Sequence, residues 1–249
     1  MNVFVITPTI GTDHLLENLK SVQKQTYGNL EHVVVVDGHQ YTEKVTEMVK
    51  SLGDQKVPIT QINIPWNTGR DRYICHKIYA SIPQLIHKPA YVNFLDEDNF
   101  IEPEHIESMV KTIVDNNYLW CHCLRNVVQP SGEFICRDMC ESLGNLSHTW
   151  INPNDFLVDT NCYLINVEAM QHLSHSFQRQ ARTNPEADRL LFRNLNKHFK
   201  HSGCSMKYTL NYRVEGRGDS VKGEFFIQGN KMMNQRYNNS IPWDCTPAP

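Results

Sequence analysis

The chain has 249 residues, a formal net charge of -3, and 40% hydrophobic and 20% charged residues, a balance that fits one large globular domain or two small ones. It carries no long basic run, which argues against a general nucleic-acid binder whose affinity rests on neutralising many phosphates. No apolar stretch reaches the roughly 20 residues of a membrane span, and the apolar opening meets Pro8 too soon for a signal peptide, so the expectation is a cytoplasmic protein with reduced thiols.

Val3, Phe4, Val5 and Ile6 read as a first strand, stopped by Thr7-Pro8-Thr9 and Gly11. Thr12 or Asp13 is placed to cap a helix bearing Leu15, Leu16, Leu19 and Val22 on one face. His32 to Val36 forms a second apolar strand, ended by Asp37-Gly38. Val45, Met48, Val49 and Leu52 mark the next helix, and residues 59–64 a third strand. Strands apolar on both faces and separated by helices predict a parallel sheet covered on both sides. After a loop at Asn67-Thr68-Gly69, residues 70–87 carry Ile74, Ile78 and Ile82 at helical spacing.

The fourth strand, Tyr91 to Leu95, runs into Asp96-Glu97-Asp98-Asn99. Three adjacent carboxylates repel one another, and burial raises the pKa of each. A wet loop before the helix that Pro103 opens would tolerate them, as would a hard divalent cation with oxygen ligands. Thr9, Asp37, Asn67 and Asp96 to Asp98 all fall at or just after strand ends, and in doubly wound sheets ligands bind beyond the carboxyl ends of strands.

Beyond residue 115 the pattern changes. Residues 118–128 and 133–137 read as a hairpin around Pro130-Ser131-Gly132. Residues 156–165 read as a strand with Asp159-Thr160-Asn161 in its middle, polar groups that need either a ligand cleft or core partners. Residues 167–177 and 185–199 are predicted helical, and 207–214 a late strand. From Glu215 the tail is glycine-rich with little apolar periodicity, either a lid or a strand-poor wrap. The spacing of Cys121, Cys123, Cys136 and Cys140 fits a zinc knuckle poorly, and buried free thiols are the reading.

These segments resemble family-2 nucleotide-sugar glycosyltransferases of the GT-A fold, and the resemblance runs from Val3 to about Val214. Val5-Ile6-Thr7-Pro8-Thr9 is similar to the family's first-strand signature, and Val34-Val35-Val36-Asp37-Gly38 to its second. Asn67-Thr68-Gly69 with Arg72 resembles the nucleotide-pocket segment, and Asp96-Glu97-Asp98 the DxD-type metal motif. The resemblance implies an α/β fold with a mostly parallel, Rossmann-like sheet. Residues 1–115 would bind the nucleotide sugar, residues 116–214 the acceptor, and residues 215–249 would form a tail or lid. It implies a UDP, GDP or dTDP-type donor, a carbohydrate or glycoconjugate acceptor, and Mn²⁺ or Mg²⁺.

By the same resemblance, Thr7, Pro8, Thr9, Asp37, Asn67, Arg72, Asp96 and Glu97 would bind the nucleotide. Asp98 would ligate the metal, with Asp96 and a late histidine, His201, as further candidates. Asp188, or else Glu186, would be the base for an inverting reaction, although Ala187 departs from the adjacent Glu-Asp the family more often shows. Asp159, Thr160 and Asn161 would line the sugar or acceptor side, and Trp150 would stack on a sugar. A sugar-phosphate nucleotidyltransferase and a non-catalytic nucleotide-sugar binding module remain the alternatives.

Overall fold

Val and Ile crowd the first two strands, β1 (Asn2–Thr9) and β2 (Leu30–Asp37), because both faces of these strands are covered. In the computed structural model, which describes residues 1–69, 75–177, 187–215 and 221–244, they belong to one nine-stranded sheet. The other strands are β3 (Ile59–Ile64), β4 (Ala90–Phe94), β5 (Phe100–Ile101), β6 (Trp120–Val128), β7 (Phe134–Arg137), β8 (Tyr163–Asn166) and β9 (Ser202–Arg213). Their order is β3-β2-β1-β4-β8-β6-β9-β5, with β7 paired beside the end of β6. The first four are parallel, β8 runs antiparallel to both β4 and β6, and β6 and β9 are parallel.

Helices α1 (Leu15–Gln23), α2 (Thr42–Lys50), α3 (His76–Ser81), α4 (His105–Asn116), α5 (Val167–Leu173), α6 (Ala187–His198) and α7 (Gly223–Arg236) flank the sheet. The amphipathic face of α4 shows why: Ile106, Met109, Val110 and Ile113 are buried, and Asn117 closes the helix in the left-handed conformation that Asn tolerates. No described helix is long and apolar enough to cross a membrane.

The register fixes the geometry of the site. Thr9 pairs with Val36 and Ile6 with Phe94, so Thr9, Asp37 and the acids after Phe94 share one carboxyl edge. Val92 pairs with Ile165 in the antiparallel β8, which brings the turn before Tyr163 to that same edge. The ends of β6 and β9 point to it as well, while their starts, Trp120 and Ser202, pair with each other at the other end.

Several sequence expectations are corrected. Residues 156–165 are not one strand: the Asp159 side chain accepts the Asn161 N–H, turning Thr160–Cys162 into a 3-10 turn and leaving β8 only four residues. Neither Thr12 nor Asp13 caps α1, whose N-cap is His14 without a side-chain bond. The described part of the predicted 70–87 helix is only α3, continued by a 3-10 turn (Ile82–Leu85) containing Pro83.

The tail contains a full helix, α7, whose buried face is Gly223, Phe226, Gly229, Asn230 and Met233. That spacing is helical, but three of its five positions are Gly or Asn, which do not read as apolar. A Cβ on Gly229 would lie 2.5 Å from Cys140 Sγ and 2.8 Å from the Trp150 ring, so glycine is what lets α7 approach. Seven cysteines are free, with Cys121 and Cys123 in the core as the thiol reading required, and Cys245 lies outside the described residues.

Candidate active site

At the carboxyl edge of the parallel strands, loops are tied together by carboxylates that accept backbone N–H groups. Asp37 ends β2 and is 5% exposed. Its Oδ1 accepts the Thr68 N–H at 2.6 Å and its Oδ2 the Gly69 N–H at 3.0 Å, while Asn67 Nδ2 donates to the Asp37 carbonyl at 3.0 Å. Gly38, at φ 124°, makes the turn that follows. Glu97 acts likewise on the β1–α1 loop: its Oε2 accepts from Thr9 Oγ1 at 2.6 Å and from the Thr12 N–H at 3.0 Å. Thr9 Oγ1 in turn accepts the Gly11 N–H. Glu97 is therefore a strut that fixes the loop around the first-strand signature.

Asp96 stands half-buried at the head of the acid turn. Tyr79 donates its hydroxyl to Asp96 Oδ1 at 2.6 Å, and Asn161 Nδ2 donates to Oδ2 at 2.9 Å. Burial, reinforced by the Asp96 anion, pushes the Tyr79 phenol well above its ordinary range, so it remains a donor. Asn18, from the middle of α1, donates to the carbonyls of Asp96 and Asn99. Asp98 is also half-buried, and Arg213 Nε donates to its carbonyl at 2.8 Å.

The mixed part of the sheet joins this turn through one short segment. Asn161 Oδ1 accepts the Asp96 N–H, and its own N–H and Nδ2 donate to Asp159 Oδ1. Asp159 Oδ2 is paired with Arg125. Thr160 donates both its N–H and its hydroxyl to Asp188 Oδ1, near the start of α6. Asp188 is partly open to solvent, yet protein surrounds it closely enough that burial, followed by the Asp159 anion, pushes its pKa up to about 6. A carboxylate in that range is suited to accept a proton near neutral pH.

The structure thus brings Thr9, Asp37, Asn67, Asp96, Glu97, Asp98, Thr160, Asn161 and Asp188 to one edge. Pro8 is buried on the strand between Thr7 and Thr9. Arg72 and Glu186 lie outside the described residues. Thr7 is misplaced by the sequence reading: it is fully buried two residues below the rim, bonded to His32 and Asn18. His32 is itself wholly buried, and burial lowers its pKa to about 3, so it is neutral there.

His201 is corrected as a metal candidate. It is exposed and precedes Ser202, which pairs with Trp120 at the far end of the sheet; at about 3.3 Å per residue that is roughly 15–20 Å from the acid turn. Trp150 is corrected as a sugar platform, because it packs edge-on against Phe225 of α7, with ring centroids 5.3 Å apart. Asp159, Thr160 and Asn161 direct their bonded groups at Arg125, Asp188 and Asp96, so they brace the site from behind.

Sequence reasoning missed Tyr79, Asn18 and Arg125. A cation inside the apolar run Trp120 to Val128 was a signal for Arg125, since a buried charge demands partners. Asp96 and Asp98 give a hard, oxygen-only donor set suited to Mn²⁺ or Mg²⁺. Among the described residues no group of three His, Cys, Asp or Glu side chains is arranged to hold a metal, and a cation shared with substrate phosphates needs only one or two carboxylates.

The architecture has counterparts among solved structures. S. aureus TarS 1–349 in complex with UDP superposes with a TM-score of 0.63 at 17% identity, over 96% of this chain and 66% of that one. The same TarS fragment without ligand in its description gives 0.58 at 16% identity, and the chain spans only 60% of its length. Mannosyltransferase PcManGT from Pyrobaculum calidifontis, in complex with GDP-Man and Mn²⁺, gives 0.58 at 15% identity over 100% of this chain and 66% of that one. No curated protein matches the sequence significantly. Residues 4–208, most of the chain, match the model of Glycosyl transferase family 2, and the chain belongs to that family.

Proposed function

We propose that the protein transfers a sugar from a nucleotide diphosphate sugar to an acceptor hydroxyl, inverting the anomeric centre, with Asp188 as base. Residues 1–115 form the donor half and residues 116–214 the acceptor half. The observation that carries this reading is the unbroken chain Asp96–Asn161–Thr160–Asp188, which ties a donor-side carboxylate to a partly exposed acid whose pKa is raised to about 6. The donor is of the UDP, GDP or dTDP class: TarS structures hold UDP and UDP-GlcNAc, and PcManGT holds GDP-Man with Mn²⁺.

Asp37, with Asn67 to Gly69 locked onto it, forms the wall for the base, and Pro8 and Thr9 form its floor. Asp98, backed by Asp96, would hold Mn²⁺ or Mg²⁺, which would offset the charge developing on the departing diphosphate. Asp188 takes the proton of the acceptor hydroxyl as the new glycosidic bond forms, and Thr160 keeps its carboxylate oriented. The test is a screen of UDP-, GDP- and dTDP-sugars for metal-dependent donor hydrolysis. Turnover of one nucleotide class that requires Mn²⁺ or Mg²⁺ is expected; nucleotide binding without hydrolysis or transfer of any donor would make the chain a binding module.

A further inference from the structure

Arg125 lies in the middle of β6, is 5% exposed, and touches two carboxylates and two aromatic rings. Its Nε donates to Asp138 Oδ2 at 2.8 Å and its Nη1 pairs with Asp159. The guanidinium carbon stands 4.3 Å from the ring centroid of Tyr212 and 5.3 Å from that of Phe226 on α7. Asp138 is fully buried and also accepts the N–H groups of Cys140, Glu141 and Ser142, which fixes the guanidinium from behind. The fixed geometry is passed forward through Asp159 to both N–H donors of Asn161, and from Asn161 to Asp96. Between Asp159 and Asn161 in that turn, Thr160 holds Asp188.

We propose that Arg125 is a positioning residue: anchored by Asp138, its ion pair with Asp159 sets the orientation of Asp96 through Asn161 and the electrostatic field at Asp188. The functional weight of this device rests on Asp188 being the base. Among the described residues, the groups facing Asp188 are the anions Asp159 and Asp96, the cation Arg125, the phenols Tyr163 and Tyr212, and Arg189 on its own helix. Asp159 disfavours ionisation of Asp188, and Arg125 favours it. Removing one or the other therefore moves Asp188 in opposite directions, which a purely structural brace would not do.

Arg125→Met leaves Asp138 and Asp159 buried without a cation and risks failing to fold, so Asp159→Asn is the principal variant, since Arg125 keeps Asp138. The experiment is a carboxyl ¹³C NMR titration of the Asp-labelled full chain, with Asp188 assigned from the spectrum of Asp188→Asn. It is paired with the pH dependence of kcat. Asp159→Asn is expected to move the Asp188 midpoint and the acid limb of kcat to lower pH, and to lower the plateau rate about 10–100-fold, the range for losing a partner behind a site ligand. Arg125→Lys, which keeps the charge but not the planar fork, is expected to lower the plateau while leaving the midpoint close to the parental one. A folded Asp159→Asn protein whose Asp188 midpoint is unmoved, or moves upward, overturns the proposal whatever its rate. If the midpoint moves as expected while Asp188→Asn transfers sugar at the parental rate, the assignment of the base fails and the role of Arg125 in setting the field stands.

Discussion

The two halves of the sheet hold their carboxylates by different means. In the parallel half, Asp37 and Glu97 accept mainly backbone N–H groups of the loops they organise. In the mixed half, Asp138, Asp159 and Asp188 also accept backbone N–H groups, but each adds side-chain donors that Asp37 lacks among the described residues: Arg125 for Asp138 and Asp159, the Asn161 amide for Asp159 and the Thr160 hydroxyl for Asp188. Backbone donors come with the fold and survive any single substitution of a neighbour. Side-chain donors are removable one at a time, and in a buried setting each removal strands a charge. The parallel half is therefore expected to be robust and the mixed half tunable.

The largest expected effect probes the tunable half directly. Asp188→Asn should reduce transfer by about 10²–10⁴-fold, the range for losing a positioned base, while leaving nucleoside diphosphate affinity unchanged by calorimetry. Arg125→Met should cost about 3–5 kcal/mol of stability in urea unfolding, because two buried carboxylates lose their cation. The matched change in the parallel half, Glu97→Gln, should cost only about 1 kcal/mol, since the amide oxygen still accepts the Thr12 N–H; equal losses would erase the contrast between the halves. Asp98→Ala should remove the Mn²⁺-dependent gain in nucleoside diphosphate affinity, at least about tenfold or about 1.4 kcal/mol.

A further effect depends on pH. The raised pKa of Asp188, about 6 in the folded protein, means that its protonated form is the one folding favours. That contribution is fully present below the ordinary carboxylate pKa of about 4 and is lost as pH rises through about 6. Asp188→Asn escapes the loss. Its Tm should exceed the parental Tm slightly above pH 6 and coincide with it below pH 4, and a higher parental Tm at pH 7 would show that burial does not penalise this carboxylate. The same titration predicts transfer that rises with pH through about 6 and then levels off.

The parallel half was legible in the sequence because apolar runs such as Val33 to Val36 stop sharply at the residues that reach the rim. Strand direction then placed Asp37 and Asp96 to Asp98 on one edge. The mixed half was harder to read for physical reasons. The partners of Asp159, Asn161 and Asp188 are distant in the chain, and a local turn at Thr160–Cys162 interrupts what composition presents as a strand. His201 shows a further limit, since a late position in sequence order does not say which end of a strand a residue occupies. Thr7 resembles Thr9 in every local respect and differs only in lying two residues deeper in β1. The buried face of α7 was hidden by Gly229 and Asn230, whose value lies in close approach and hydrogen bonding to the segment around Arg137 and Met139.

The central claim is that the loops after β1, β2 and β4 and the turn before β8 surround one bound diphosphate and its cation. Paramagnetic broadening of assigned amide signals by Mn²⁺ in the presence of UDP, GDP or dTDP tests it most directly. Broadening is expected together at Thr12, Asp98, Thr160 and Asn161, with the signals of His201 and Ser202 staying sharp. Broadening centred on the start of β9, or confined to only one of those loops, would contradict a shared site.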